Sequence, residues 1–115
     1  MKPVDQSKFG KEGDCVRACL ASYFELELTD VPEIPTSSSF EQWSAFDDFV
    51  ESRGLERSYV PGLHGEVYFV SGLTARGLYH LVLMQDYRLL HDPHPSRAGL
   101  IKAEYTFRLQ KLRVT

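Results

Sequence analysis

Residues 77–93 read GLYHLVLMQDYRLLHDP, and the fold turns on how this stretch is arranged. From Leu78 to Met84 both alternating sets of side chains are apolar except at His80, the pattern of a central strand covered on each side. Arg88 to His91 reads as a second short strand, joined to the first around Gln85, Asp86 and Tyr87, so the unit is an antiparallel hairpin. A three-residue loop centred on Asp86 pairs His80 with Asp92. Directly opposed residues share a face with Cβ atoms about 4.5 to 5.5 Å apart, near enough for a carboxylate to hold an imidazole. A two-residue loop shifts the register and sets His91 or Pro93 opposite instead.

Outward from the hairpin, Arg57 to Val60, Val67 to Val70 and Tyr105 to Val114 are further β-prone runs. SGLTARG, residues 71–77, reads as a flexible loop that carries Arg76 towards the start of the His80 strand. Before Leu55 the period changes. Val16, Cys19, Leu20, Tyr23 and Phe24 form a helical stripe behind Asp14, an N-cap residue type. Phe40, Trp43, Phe46, Phe49 and Val50 form a second stripe, from Phe40 to Arg53, behind a Ser39–Gln42 capping box and ahead of Gly54. For Trp43, Phe46 and Phe49 the choice lies between a substrate groove and a buried face, and their helical spacing makes them core residues. The intervening LELTDVPEIPTSSS is a linker with one helical turn, and Met1–Gly13 is an extended arm. Helices precede strands, so the fold class is α+β, with N-terminal helices packed on a C-terminal antiparallel sheet in a single domain spanning 1–115.

At 115 residues the chain can bury roughly two thirds of its unfolded surface and needs no disulfide staple. Thirteen basic against sixteen acidic side chains leave a net charge of −3, which gives no positive field for nucleic acid or anionic lipid. No apolar run has the roughly 18 to 20 residues of a membrane span, and the first fifteen residues lack a secretion-signal core, so the expected location is the cytoplasm. Cys15 and Cys19, four apart on one helix, are read as two reduced thiols.

Three of these residues have the chemistry of a catalytic set. Cys15 falls in the first turn of a helix, where unpaired amides and the helix dipole favour a thiolate. Its plainer reading is a small buried hydrophobe. A lone imidazole in an apolar strand must find a partner, and for His80 the choice lies between a backbone carbonyl and the Asp92 carboxylate. Thiol, imidazole and carboxylate together supply a nucleophile, a base and its orienter. His91 and His94, with the two cysteines, raise a two-cysteine, two-histidine zinc site, against which stands their proline-restricted loop. The expected chain has no metal and no cofactor. Cys19 reads as core, and Asp47, Asp48 and Glu51 as the solvated side of the second helix.

GDCVRACLAS at 13–22, HLVLM at 80–84 and HDP at 91–93 resemble the papain-like fold as used by bacterial peptidases that process double-glycine leaders of bacteriocins. The resemblance implies Cys15 as nucleophile, His80 as base, Asp92 as orienting acid and Gln6 as the oxyanion-hole glutamine. Gln6 lies farther upstream of the cysteine than is usual there, so the arm FGKEG must bulge. Val16 and Arg17 stand where a small residue is usual, and Arg17, like Arg76, becomes a candidate substrate contact. MKPVDQ and HDPHPSRAGL also look like parts of small bacterial or phage proteins. The implied activity is that of a cysteine peptidase, or a related amide hydrolase or acyltransferase, acting on a peptide or protein through a thioester. The alternatives are an inactive papain-like binding module and, behind it, a small zinc protein.

Overall fold

The first helix, α1 (Cys15–Phe24), buries Ala18, Cys19, Leu20 and Ala21 completely. It ends at Glu25, whose left-handed φ of 58° returns its N–H to the carbonyls of Ala21 and Ser22. Asp14 does precede the helix, but its carboxylate does not cap it. The carboxylate turns back to accept from Ser7 N, Ser7 Oγ and Lys8 N at 2.6 to 2.8 Å. The second helix, α2 (Ser39–Ser52), starts one residue earlier than the expected Phe40 because Ser38, not Ser39, is its cap: Ser38 Oγ accepts from Glu41 N at 3.1 Å. The linker holds its one helical turn at Leu28–Asp30.

The computed structural model describes residues 1–113, and the expected strand end at Val114 lies outside them. Five strands follow the helices: β1 (Leu55–Ser58), β2 (Val67–Leu73), β3 (Tyr79–Gln85), β4 (Arg88–His91) and β5 (Lys102–Lys111). They form one antiparallel sheet in the order β1-β5-β2-β3-β4. The His80 strand β3 is therefore interior but not central; β2 holds the middle. β2 also runs three residues beyond Val70, taking Ser71, Gly72 and Leu73 from the expected loop into the ladder with β3 and β5.

The helices and the sheet meet on an aromatic core. Phe69 of β2 and Phe107 of β5 stack with centroids 5.1 Å apart, and Phe46 of α2 stands edge-on to both. Phe46 and Phe69 are wholly buried, so truncating either to alanine costs about 3 to 5 kcal/mol. α1 lies against β3, where the buried Cys19 thiol donates to the carbonyl of Leu81 at 3.3 Å. Leu81, Val82 and Leu83 are all buried, as expected for a strand covered on each side. Among the described residues, no helix is long and apolar enough to cross a membrane.

The hairpin does not adopt the expected register. Gln85 pairs with Arg88, leaving a two-residue turn at Asp86 and Tyr87, both with positive φ (50° and 63°). That alone would turn Asp92 to the face away from His80. A second shift follows: Met84 pairs with Leu89 but Leu83 with His91, so Leu90 is an extra residue in β4. This bulge restores the parity. The direct His80–Asp92 pair is replaced by a diagonal one, since continuing the ladder sets Asp92 opposite Val82.

Candidate active site

His80 Nε2 donates to Asp92 Oδ1 at 2.6 Å, with the two side chains 4% and 0% exposed, so water is excluded from the contact. Asp92 begins the loop after β4 and is over-determined there. Its Oδ1 also accepts from His94 N at 2.9 Å and its Oδ2 from Gly99 N at 2.8 Å. Burial raises the carboxyl pKa, but the hydrogen bonds from His80 and these two amides, with the imidazolium charge, outweigh it and hold it at about 2. Burial likewise opposes the imidazolium, yet hydrogen bonds to Asp92 and Cys15 and their charges lift His80 from 6.5 to about 9. The thiol of Cys15 is thus near enough to the ring to raise its pKa, and both groups line one cleft. With Nε2 committed to Asp92, Nδ1 is the nitrogen left for sulfur.

Cys15 is half-buried at the first position of α1, and with His80, Trp43 and Tyr105 it lines a cleft of about 250 Å³. Both cysteines are free thiols. Cys19, fully buried, has its thiol pKa pushed well up by burial and by the nearby charges of Cys15 and Asp92. The two differ in kind: Cys15 opens on a cleft and Cys19 is packing.

Gln6 is buried, beside the turn that leads into α1. The surplus length of FGKEG is taken up by a one-turn 3₁₀ segment, Gly10–Glu12, entered through Gly10 at φ 78°. Lys8 O closes the bulge by accepting from Asp14 N at 3.3 Å and from Gln6 Nε2 at 2.8 Å. An alanine Cβ at Gly13 would lie 3.3 Å from that Nε2, so glycine lets the amide pack against the turn. Gln6 Oε1 is buried without a partner. Gln6 N donates to Pro93 O, tying the arm to the loop that carries Asp92.

The remaining candidates go elsewhere. Arg17 Nε donates to Val31 O at 2.7 Å in the linker, and Arg76 Nη1 to Ser96 Oγ at 3.3 Å; neither lines the cleft. His91 Nε2 donates to Val4 O at 2.8 Å and so holds the arm. His94 stands edge-on to His80 with ring centroids 6.4 Å apart. The four zinc-type donors do not converge: among the described residues no three His, Cys, Asp or Glu side chains are placed to hold a metal ion. The cleft walls were missed in the sequence. Trp43 is both core and wall, and Ser39, Gln42, Ser71, Tyr79, Glu104 and Tyr105 join it. Helical spacing favoured Trp43 as core over a groove wall, and it is both; no motif marks the others. No protein-family model, curated protein or solved structure matches the chain.

Proposed function

We propose that this chain is a papain-like cysteine hydrolase or acyltransferase that cleaves a peptide or amide bond through a thioester on Cys15. The observation that carries the reading is the buried Asp92–His80 hydrogen bond with the half-buried Cys15 thiol lining the same cleft as the ring. His80, held as the imidazolium up to about pH 9, carries the proton given up by the thiol, and Cys15 Sγ attacks the carbonyl carbon. The C–N bond then breaks as His80 returns that proton to the leaving amine. In the second half-reaction His80 deprotonates a water, or an acceptor amine, that attacks the thioester and frees Cys15. Asp92 keeps its charge throughout and fixes the ring with Nδ1 towards sulfur.

The oxyanion of each tetrahedral intermediate needs donors already in place. The first amides of α1 have no partner within the helix, and the backbone N–H of Cys15 is the nearest of them to the reacting carbon. Gln6 Nε2 spends one N–H on Lys8 O and has a second to offer. Gln6 does not itself line the cleft; its burial, its packing against Gly13 and the bond from its backbone N–H to Pro93 O support the assignment as a preorganised donor.

The test is trapping with a peptidyl chloromethyl ketone followed by mass mapping. The adduct is expected on Cys15, with labelling slowed about a hundredfold or more in His80→Gln. Circular dichroism of the variant controls for folding. An adduct confined to Cys19, no adduct, or an unchanged rate in His80→Gln overturns the proposal.

A further inference from the structure

Successive side chains of a regular strand point to opposite faces, so Glu104 and Tyr105 turn their side chains to one cleft only where the ladder is broken. Both do line it. β5 pairs Tyr105 with Ser71 and then Ala103 with Gly72, which leaves Glu104 as the extra residue of a bulge. A bulge of this kind re-aims a side chain and is common beside active sites. Gly72 makes room for it: a Cβ there would sit 2.0 Å from the carbonyl oxygen of Lys102, a collision no side chain survives unchanged.

The re-aimed group is an exposed carboxylate without an ion-pair partner among the described residues. Among the described residues no lysine or arginine lines the cleft. Tyr79 and Tyr105, 68% and 62% exposed, flank the same opening and offer aromatic surface, which attracts cations. We infer that the cleft selects a peptide bearing a cationic side chain, lysine- or arginine-like, next to the scissile carbonyl, and that Glu104 is the specificity-determining carboxylate. This rests on the reading of Cys15 as the nucleophile.

The test uses three chloroacetamides of matched length: N-(2-aminoethyl)chloroacetamide, N-propylchloroacetamide and N-chloroacetylglycine. Each alkylates the thiolate with loss of chloride, and the rate at Cys15 is read by mass mapping, without need of turnover. The cationic reagent is expected to react about fivefold faster than the neutral one, since one partly screened charge contact is at stake. The advantage should shrink below about twofold in Glu104→Gln and pass to the anionic reagent in Glu104→Lys. Equal rates for the cationic and neutral reagents, or an advantage that survives Glu104→Gln, overturns the inference. So does failure of every reagent to reach Cys15. A charge preference that depends on Glu104, with a neutral-reagent rate indifferent to His80→Gln, would instead keep Glu104 as the cation-selecting carboxylate of the cleft and remove the hydrolase reading, and with it the scissile carbonyl.

Discussion

At the scale of one residue, His80 shows how opposing effects are decided. Burial alone would have lowered its pKa and left a neutral ring, but the contacts with Asp92 and Cys15 prevail and hold the imidazolium up to about 9. In the proposed mechanism the protonated ring must serve the leaving amine. The kcat/KM of a lysyl amide substrate is therefore expected to fall as pH rises through about 9. Asp92→Asn keeps the shape but removes the charge that favours the imidazolium, so the fall should move towards neutrality. A limb that stays near 9 in this variant would belong to another group. The chemistry of this residue was legible in the sequence because an imidazole inside LVLM-type apolar surroundings has to be paired. Cys15 was legible by its place at a helix start, and Gln6 only through resemblance, since a polar arm has no period to read.

At the scale of the element, helix and strand types followed from periodicity, whereas the register did not. The turn between β3 and β4 needs positive φ at both central residues, a role that Asn-Gly or Asp-Gly normally announces. Here it is filled by Asp86 and Tyr87, and nothing in QDYR signals it. The bulge at Leu90 is equally silent, because either leucine of the pair 89–90 has the same chemistry. The two departures cancel in parity, which is why His80 and Asp92 meet although their expected pairing does not form. Tyr87 is 94% exposed and strained at φ 63°, so its side chain contributes little that glycine would lose. Tyr87→Gly should therefore stabilise the chain by about 0.5 to 1 kcal/mol, a gain reduced by the extra freedom of glycine when unfolded. A urea midpoint raised at unchanged m-value is the expected result; a lowered midpoint would show that the tyrosine ring holds the turn.

Across the whole molecule, the N-terminal arm joins what the chain order separates. Lys2 N and Val4 N bind Ser22 of α1, Gln6 N binds Pro93, His91 holds Val4 O, and Asp5 pairs with Arg97. Nothing in residues 1–13 announces these ties, because an extended segment takes its shape from the surfaces it crosses and not from its own pattern. The arm braces the Asp92 loop, and His80 of β3 completes the ion pair, so the charge state of that pair should register in global stability. His80 has its pKa raised from 6.5 to about 9 on folding; its contribution is complete below pH 6.5 and is lost as pH rises towards 9. Asp92 has its pKa lowered from 3.8 to about 2; its contribution is complete above pH 3.8 and is lost as pH falls towards 2. The two windows overlap between pH 3.8 and 6.5, where the stability advantage over His80→Gln is expected to be greatest. From that plateau to pH 9 the melting temperature of the native chain should drop by about 10 °C relative to the variant. Scanning calorimetry of both proteins across this range measures the difference directly. A difference that stays flat from pH 6.5 to 9 would mean that folding leaves the His80 proton no more tightly held than in the open chain, and the buried pair would then have to be neutral.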